Sequence, residues 1–585
     1  MSTRRSFRVA LLAAAVLAPL GAVPLTTAAP PVVNGWSQFT PSPDSRIVYV
    51  SSSTGNDANN GLSQSSPKRT LSAAYSVLRH GYPDWMLLKS GDTWTESFPG
   101  WGKSGRSDNE MMRIGSYGAG ARPKLQTGTS NGIYAFGGSP SIGHIAITDL
   151  HMVPHTYDGS NGVPSGIQML ANCSDILVEN CYFERFFQNI IFNSNPATES
   201  MSDIRIRRCV SVDAFRIGSG HAQGMYIGGA NNVLLEECAF DHNGWSESIG
   251  GADPTIFRHN IYIQSDCSNV TTRGLISARA AATGMQQRPG GTCEGHLFLR
   301  NPLGIVMGGG GTVRNCVLMD SRDIDAANPR GVGIQIAGGN TFEVAGNVCS
   351  WRTQPGTWNI QAISVDSTSH TVNIHDNVVW KWSVQGANSC GGLQIGGAPS
   401  GTFQVRNNHL QMRSGGMVIE NNVSYPLGLS GNRYYSPQSN PFERSGVGMN
   451  FTQWVIATSE TGASFTPGTY PDPDRSISTY MSSIGRPPTL EAFMAEARLQ
   501  SKSNWRPQFT AAAVNAYIKA GYFGGTSPPA CPADLNGDLI LNLNDMIAFQ
   551  KFFFRSDMRA DVNHDGVLNI ADFTTYQTLY NAGCP

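Results

Sequence analysis

The chain has little charge for its size. Asp, Glu, Lys and Arg make up 14% of its 585 residues, and the formal net charge is −1. No basic field is present for a nucleic acid, so that partner class is excluded. Beyond the N-terminus, no apolar run is long enough to cross a bilayer as a helix. The cysteines number eleven, an odd count that pairing alone cannot account for. What the chain has in excess is glycine, 65 residues, as expected of a backbone that turns many corners.

The first residues read as an export signal spanning 1–29. Arg4, Arg5 and Arg8 precede an apolar run from Val9 to Val23, and small residues follow at Thr27, Ala28 and Ala29. Thr3-Arg4-Arg5-Ser6-Phe7 resembles a twin-arginine signal, with an ordinary basic leader as the alternative. Either implies an extracellular, cell-surface or periplasmic location. The Pro- and Ser-rich residues 31–45 predict little structure.

From about Leu150 to Asn408 a short pattern recurs. Aligning ILVENCYF, IRIRRCVSV, LLEECAF, TVRNCVL, VAGNVCS, NIHDNVV and QVRNNHL puts Cys181, Cys209, Cys238, Cys316, Asn347, Asn377 and Asn408 in one register. Three residues upstream stand Val178, Ile206, Leu235, Val313, Val344, Ile374 and Val405, all apolar. The steps are 28 and 29 residues from Cys181 to Cys238, then 31, 30 and 31 from Cys316 to Asn408. Leu275 and His296 are the candidate rungs between. One strand pattern per period of this length indicates a solenoid of stacked coils. Its cysteines are then buried thiols, and its asparagines share amide hydrogen bonds up the stack.

The segments YVSSSTGNDANNGLSQSSPKRTLSAAYSVL, LLKSGDTWTESF and IGSYGAGARPKL closely resemble the N-terminal part of the right-handed parallel β-helix superfamily that contains the pectate lyases. The resemblance covers roughly residues 47–425. It implies an all-β fold, a right-handed single-stranded parallel β-helix with helical caps, over 46–425. It does not fix a reaction, because lyases, hydrolases, epimerases and non-enzymes share this fold. Leu71, Ala74, Tyr75 and Leu78 predict one apolar helical face, with Thr70 as its N-cap, suited to cover the open end. Residues 426–523 read as a loop region and helical cap. There Leu490, Phe493, Met494 and Ala497 mark one helix, and Val514, Tyr517, Ile518 and Gly521 another, expected as a lid on the far end. Residues 524–532 read as a linker.

The tail, 533–585, repeats a cation-binding loop. DLNGDLILNLND starts at Asp534 and DVNHDGVLNIAD starts 27 residues later at Asp561. Oxygen donors at loop positions 1, 3, 5, 9 and 12 with a carbonyl at 7 suit calcium. They are Asp534, Asn536, Asp538, Asn542 and Asp545 with the Ile540 carbonyl, then Asp561, Asn563, Asp565, Asn569 and Asp572 with that of Val567. An apolar helical run follows each loop. Loop and helix, twice, resemble a type I dockerin, a small α-helical domain with two Ca2+ sites. The resemblance implies a carbohydrate setting and a cohesin-like or other surface-anchoring partner. Leu539 stands where the second loop has Gly566, a departure that predicts weaker binding at the first loop. Cys531 and Cys584 bracket the module and predict one disulfide.

Glycine-led strands place Gln168, Tyr226, Tyr262, Gln286, Val306, Gln335, Ser364 and Gln394 at one outward position, with Gln264, Arg288 and Asp366 two places on. Tyr, Gln and Arg in a row suit stacking on sugar rings and bonding to hydroxyls. Gln264, Gln286, Gln335 and Gln394 are the expected polysaccharide-binding residues. The longer loop 244–258, with Glu247 and Asp253, predicts a cleft near coils 224–290. β-Elimination on a uronate needs a base, an acid and a carboxylate partner. His259 or His221 is the expected base, Tyr262 or Tyr226 the acid and Arg288 the carboxylate partner, with Asp241 a further candidate. Hydrolysis needs two carboxylates on one face, and the spacing of Asp241, Glu247, Asp253 and Asp266 pairs none. The expectation leans to a polysaccharide lyase, with an O-glycosyl hydrolase, a C5-epimerase and a non-catalytic glycan-binding or adhesion protein as alternatives.

Overall fold

The computed structural model describes residues 30–324, 331–352, 360–366, 371–382, 390–397, 400–413, 416–423, 425–523, 533, 535, 543–554, 560, 562–563 and 567–582. The export signal at 1–29 and the 524–532 linker lie outside the described residues.

Three parallel sheets wind around one core. Sheet I runs from Ile47–Val50 through Met201–Arg207 to Gly428–Ser430. Sheet II runs from the first part of Ile133–Thr148 through Gln223–Gly228, His259–Ile263 and Thr283–Gln287 to Phe442–Arg444. Sheet III is 14-stranded, from Thr93–Trp94 through Ala239–Asp241 to Ser464–Phe465. Each strand pairs in parallel with its counterpart in the next coil, as Tyr226 does with Tyr262, Val233 with Val270 and Ala239 with Ile276. The fold is a parallel β-helix. Alternation along each strand sends Met225, Ile227, Ile261 and Ile263 inward to full burial and leaves Tyr226 and Tyr262 half-exposed outside.

The predicted ladder is a column. Val210 N–H donates to the Cys181 carbonyl, Ala239 to Cys209, Ile276 to Cys238, Leu297 to Leu275 and Val317 to His296, so Leu275 and His296 are its missing rungs. Eight cysteines, Cys173, Cys181, Cys209, Cys238, Cys267, Cys293, Cys316 and Cys349, are buried free thiols. Asn347 Nδ2 donates to Asn377 Oδ1, Asn377 to Asn408 and Asn408 to Asn432, at 2.9, 2.9 and 3.1 Å. The row closes on Glu460, which accepts from Asn432, Tyr434 and Trp454. Burial raises the Glu460 carboxyl above its ordinary value.

Helix α1 (Leu71–Val77) caps the first coils, with Thr70 Oγ1 accepting from Ala73 N–H at 3.2 Å. At the other end the coils continue past residue 425. Helix α2 (Phe451–Thr458) closes that end, with Trp454 fully buried and stacked on Phe442. The helices expected there as a lid lie elsewhere. α3 (Ile477–Ser483), α4 (Leu490–Arg498) and α5 (Ala511–Phe523) cover the outer side of sheet III, packing on Val210, Ile276, Leu297, Val317 and Val378. The physical reason is that these strands are apolar on both sides, so their outer side must also be covered. Residues 31–45 are also structured. Val32–Val33 and Trp36–Ser37 form a hairpin, and the Arg208 guanidinium sits 4.5 and 4.3 Å from the Trp36 and Trp505 rings. In the tail, α6 (Leu543–Phe554) and α7 (Ile570–Ala582) pack through Phe549 and Tyr576, whose rings stack at 4.2 Å.

Candidate functional site

Three outer faces are available to a ligand, and two are already satisfied. Sheet III is under α3–α5. On sheet I the outward register reads Glu179, Arg207, Glu236, Arg273, Glu294, Arg314, one residue per coil. Arg207 pairs with Glu179 at 2.9 Å and Glu236 at 2.6 Å, Arg273 with Glu236 at 2.6 Å, and Arg314 with Glu294 at 3.0 Å. That face is self-neutralised.

Sheet II is left open. Its central outward row is Tyr134, Gln168, Ile191, Tyr226, Tyr262, Gln286, Val306, Gln335, Ser364, Gln394, Glu420 and Glu443 in continuous register. Tyr134 and Phe136 expose 38% and 57% of their surface, far more than a self-contained sheet needs. The sequence reading missed this pair, although GIYAF is in phase with GIQML. Glycine precedes the row because the backbone of the next coil comes too close there for a side chain. A Cβ at Gly284 would lie 2.8 Å from the Gly304 carbonyl, and one at Gly333 would lie 2.5 Å from that of Ala362.

The floor of the trough is most organised at Tyr226, Tyr262, Gln264 and Arg288. The two tyrosine rings are 5.6 Å apart. Arg288 Nη1 donates to Tyr262 Oη at 2.7 Å, and Tyr262 Oη donates to Gln264 Oε1 at 3.1 Å. Arg288 is exposed, and its Nη1 also donates to Gln264 Oε1 at 3.4 Å, which leaves the N–H groups of Nε and Nη2 for a ligand. Burial raises the Tyr226 hydroxyl to about 12, so it stays protonated at neutral pH. Gln286 stands beside Tyr262 in register.

Corner loops build a wall beside this floor. Loop 244–258 folds around Arg258. The Arg258 guanidinium donates to the carbonyls of Gly218, Gly220, Gly244 and Asp253. Ile249 and Ala252 of that loop pack on Tyr157 and Phe215 of the neighbouring corners. His221 is exposed at the foot of the wall, with Nδ1 3.1 Å from the Phe257 carbonyl.

Two expected residues are not on the open floor. His259 is 3% exposed, with its ring 5.4 Å from that of Tyr262, so it supports the tyrosine and cannot meet a polymer as a base. Asp241 belongs to sheet III, fully buried between Arg279 (2.6 Å) and Arg498 of α4 (2.6 Å). Its partners tie the helices to the sheet.

Further along the trough the polar residues interlock. Asp366 accepts from Gln335 and from Ser364, and Gln394 Nε2 donates to Glu420 Oε1 at 3.2 Å. Asn422 Nδ2 donates to the same Glu420 oxygen at 3.0 Å. Glu420 and Glu443 are register neighbours on adjacent coils. The carboxylate pairing that the 241–266 region lacks therefore occurs in a segment read from sequence as lying at and beyond the end of the coils.

In the tail, Asp534, Asn536, Asp538, Ile540, Asn542, Asp561, Asp565, Cys531 and Cys584 lie outside the described residues. Asp545 and Asp572 are both fully buried at the starts of α6 and α7. Asp572 turns back on its loop, Oδ2 accepting from Asn569 N–H at 2.9 Å and Oδ1 from Asn563 N–H at 3.4 Å. Among the described residues no group of three His, Cys, Asp or Glu side chains is placed to hold a metal ion. Among them, too, no helix is long and apolar enough to cross a membrane.

No family model matches the chain, and no curated protein does. Among solved structures, a GH136 lacto-N-biosidase from Eubacterium ramulus is 12% identical over 72% of this chain and 68% of that one, with a TM-score of 0.36. An alginate lyase from Paenibacillus sp. str. FPU-7 is 14% identical over 60% and 99%, with a TM-score of 0.35. A rhamnogalacturonan lyase is 11% identical over 66% and 87%, with a TM-score of 0.34. At these values the likenesses carry no argument about chemistry, and the fold rests on the strand ladders themselves.

Proposed function

We propose that the protein is an exported polysaccharide lyase whose substrate lies along the sheet II trough. The observation that carries this reading is the Tyr226–Tyr262–Arg288 group on the one face that neither helices nor ion pairs cover. A guanidinium with free donors pairs with a uronate carboxylate and quiets the charge that grows there as the C5 proton leaves. With its own proton lost to solvent, Tyr262 takes the C5 proton as a phenolate, and the Arg288 N–H faces that negative charge until the transfer discharges it. Tyr226, kept protonated by burial, donates to the departing glycosidic oxygen. Tyr134 and Phe136 extend the trough as a stacking platform for neighbouring sugars.

The tail is a calcium module that anchors the enzyme to a cohesin-like or other surface protein. Asp545 and Asp572, buried at loop position 12, fit this role, since a carboxylate bent back over its loop is placed to close a cation cage. Asn563, Asn569 and the Val567 carbonyl would complete the second site with Asp561 and Asp565.

Incubation of the full chain with uronate polymers tests the reaction. The expected result is growth of the ultraviolet absorbance of an unsaturated product, lost in Arg288→Ala and Tyr262→Phe. New reducing ends without that absorbance would move the chemistry to hydrolysis, with Glu420 and Glu443 as the pair. Binding without cleavage would leave a glycan-binding protein.

A further inference from the structure

The trough changes electrostatic character along its length. Arg288 is the only cation in its two outward rows from Tyr226 onward. Past it come Val306, Gly308 and Ala337, which are neutral and small, then Asp366, Glu420 and Glu443. Arg288 and Asp366 are separated by three coils, about 14 Å at the usual strand spacing. That exceeds the Debye length of about 8 Å in physiological salt, so a sugar at either place responds to its local group.

The acidic stretch is also held in place. Gln335 and Ser364 donate to Asp366, and Gln394 and Asn422 donate to Glu420. Carboxylates fixed in this way are acceptors only. They suit the hydroxyl donors of an uncharged sugar and repel a uronate, which sets a second negative charge beside them.

We infer that the substrate is a heteropolysaccharide whose acidic residue sits at Arg288 while uncharged, hydroxyl-rich residues cross Asp366 and Glu420, and that a uniform polyuronate is disfavoured. This rests on the trough reading given above and assigns Asp366 and Glu420 as specificity-determining residues. They reject the wrong polymer as much as they hold the right one.

The test compares the full chain with an Asp366→Asn, Glu420→Gln variant. The probes are two homopolyuronates (polygalacturonate and polymannuronate) and two alternating uronate–neutral polymers (hyaluronate and a rhamnogalacturonan), with binding and turnover both measured. The native chain is expected to favour an alternating polymer. The variant is expected to gain about tenfold in association with a homopolyuronate, a gain that misfolding cannot produce. Raising the ionic strength on the native chain should narrow the same preference without any substitution. A native preference for a homopolyuronate, or a variant with unchanged discrimination, overturns the inference while leaving the trough reading intact. If no polymer is bound and Arg288→Ala changes nothing, the trough reading itself falls, and the inference with it.

Discussion

Asn347 and Asn377 lie one coil apart and share two contacts. Asn377 Oδ1 accepts from Asn347 Nδ2 at 2.9 Å and from Asn347 N–H at 3.0 Å. Both residues are buried, and Asn377 passes the pattern on through its own Nδ2 to Asn408. One side chain thus satisfies a backbone donor, a side-chain donor and an acceptor inside the core.

Replacing Asn377 with Leu should therefore cost more than a surface change. It strands two donors of Asn347, the backbone N–H and one Nδ2 hydrogen, each costing about 1–3 kcal/mol when buried unsatisfied, while Asn408 Oδ1 keeps the backbone N–H of residue 377. The expected loss is about 3 kcal/mol or more, read from denaturant unfolding, with little change for Gln404→Ala on the solvent side of the next coil.

The contact between the helices and sheet III should respond to pH through Asp213. Burial alone would raise that carboxyl, but hydrogen bonds from His242 and Arg498, together with their charges, outweigh it and hold it at about 2. A depressed carboxyl contributes stability that is present above the ordinary pKa near 4 and lost as pH falls towards 2. Limited proteolysis at falling pH should release residues 470–523 in that window before the β-helix itself opens.

Arg498→Met should loosen the same helices at neutral pH. It leaves Asp213 and buried Asp241 short of a partner, and breaking one side of a buried ion pair costs about 3–5 kcal/mol. Hydrogen exchange should rise in α4 and α5, with sheet II unchanged.

At the trough, Tyr262→Phe removes the proton acceptor and Arg288→Ala the carboxylate partner. Each should lower kcat/KM on the cleaved polymer about 10²–10⁴-fold. His259→Ala should act through a displaced Tyr262 and raise KM along with lowering kcat, whereas Asp241→Asn should act on stability alone.

Calcium should stabilise the tail by about 2.7 kcal/mol at a free concentration one hundred times its Kd. Calorimetry of the full chain with and without a chelator checks this. A lone tail transition that ignores calcium, or one unaltered by Asp572→Asn, would remove the calcium assignment.

The repeat of Cys181, Cys209 and Cys238 determined the fold without coordinates, because stacked coils force equal residues into equal environments. The phase of the glycine-led strands likewise determined that Tyr226, Tyr262 and Gln286 share one outward row, since a strand alternates sides with a period of two. Tertiary structure alone decided where the helices of 477–523 lie and that Asp241 belongs to their seam. An amphipathic helix announces that it needs an apolar surface, not which of several it meets. The burial of His259 was decided in the same way, since its place at the start of His259–Ile263 does not by itself say what packs over it.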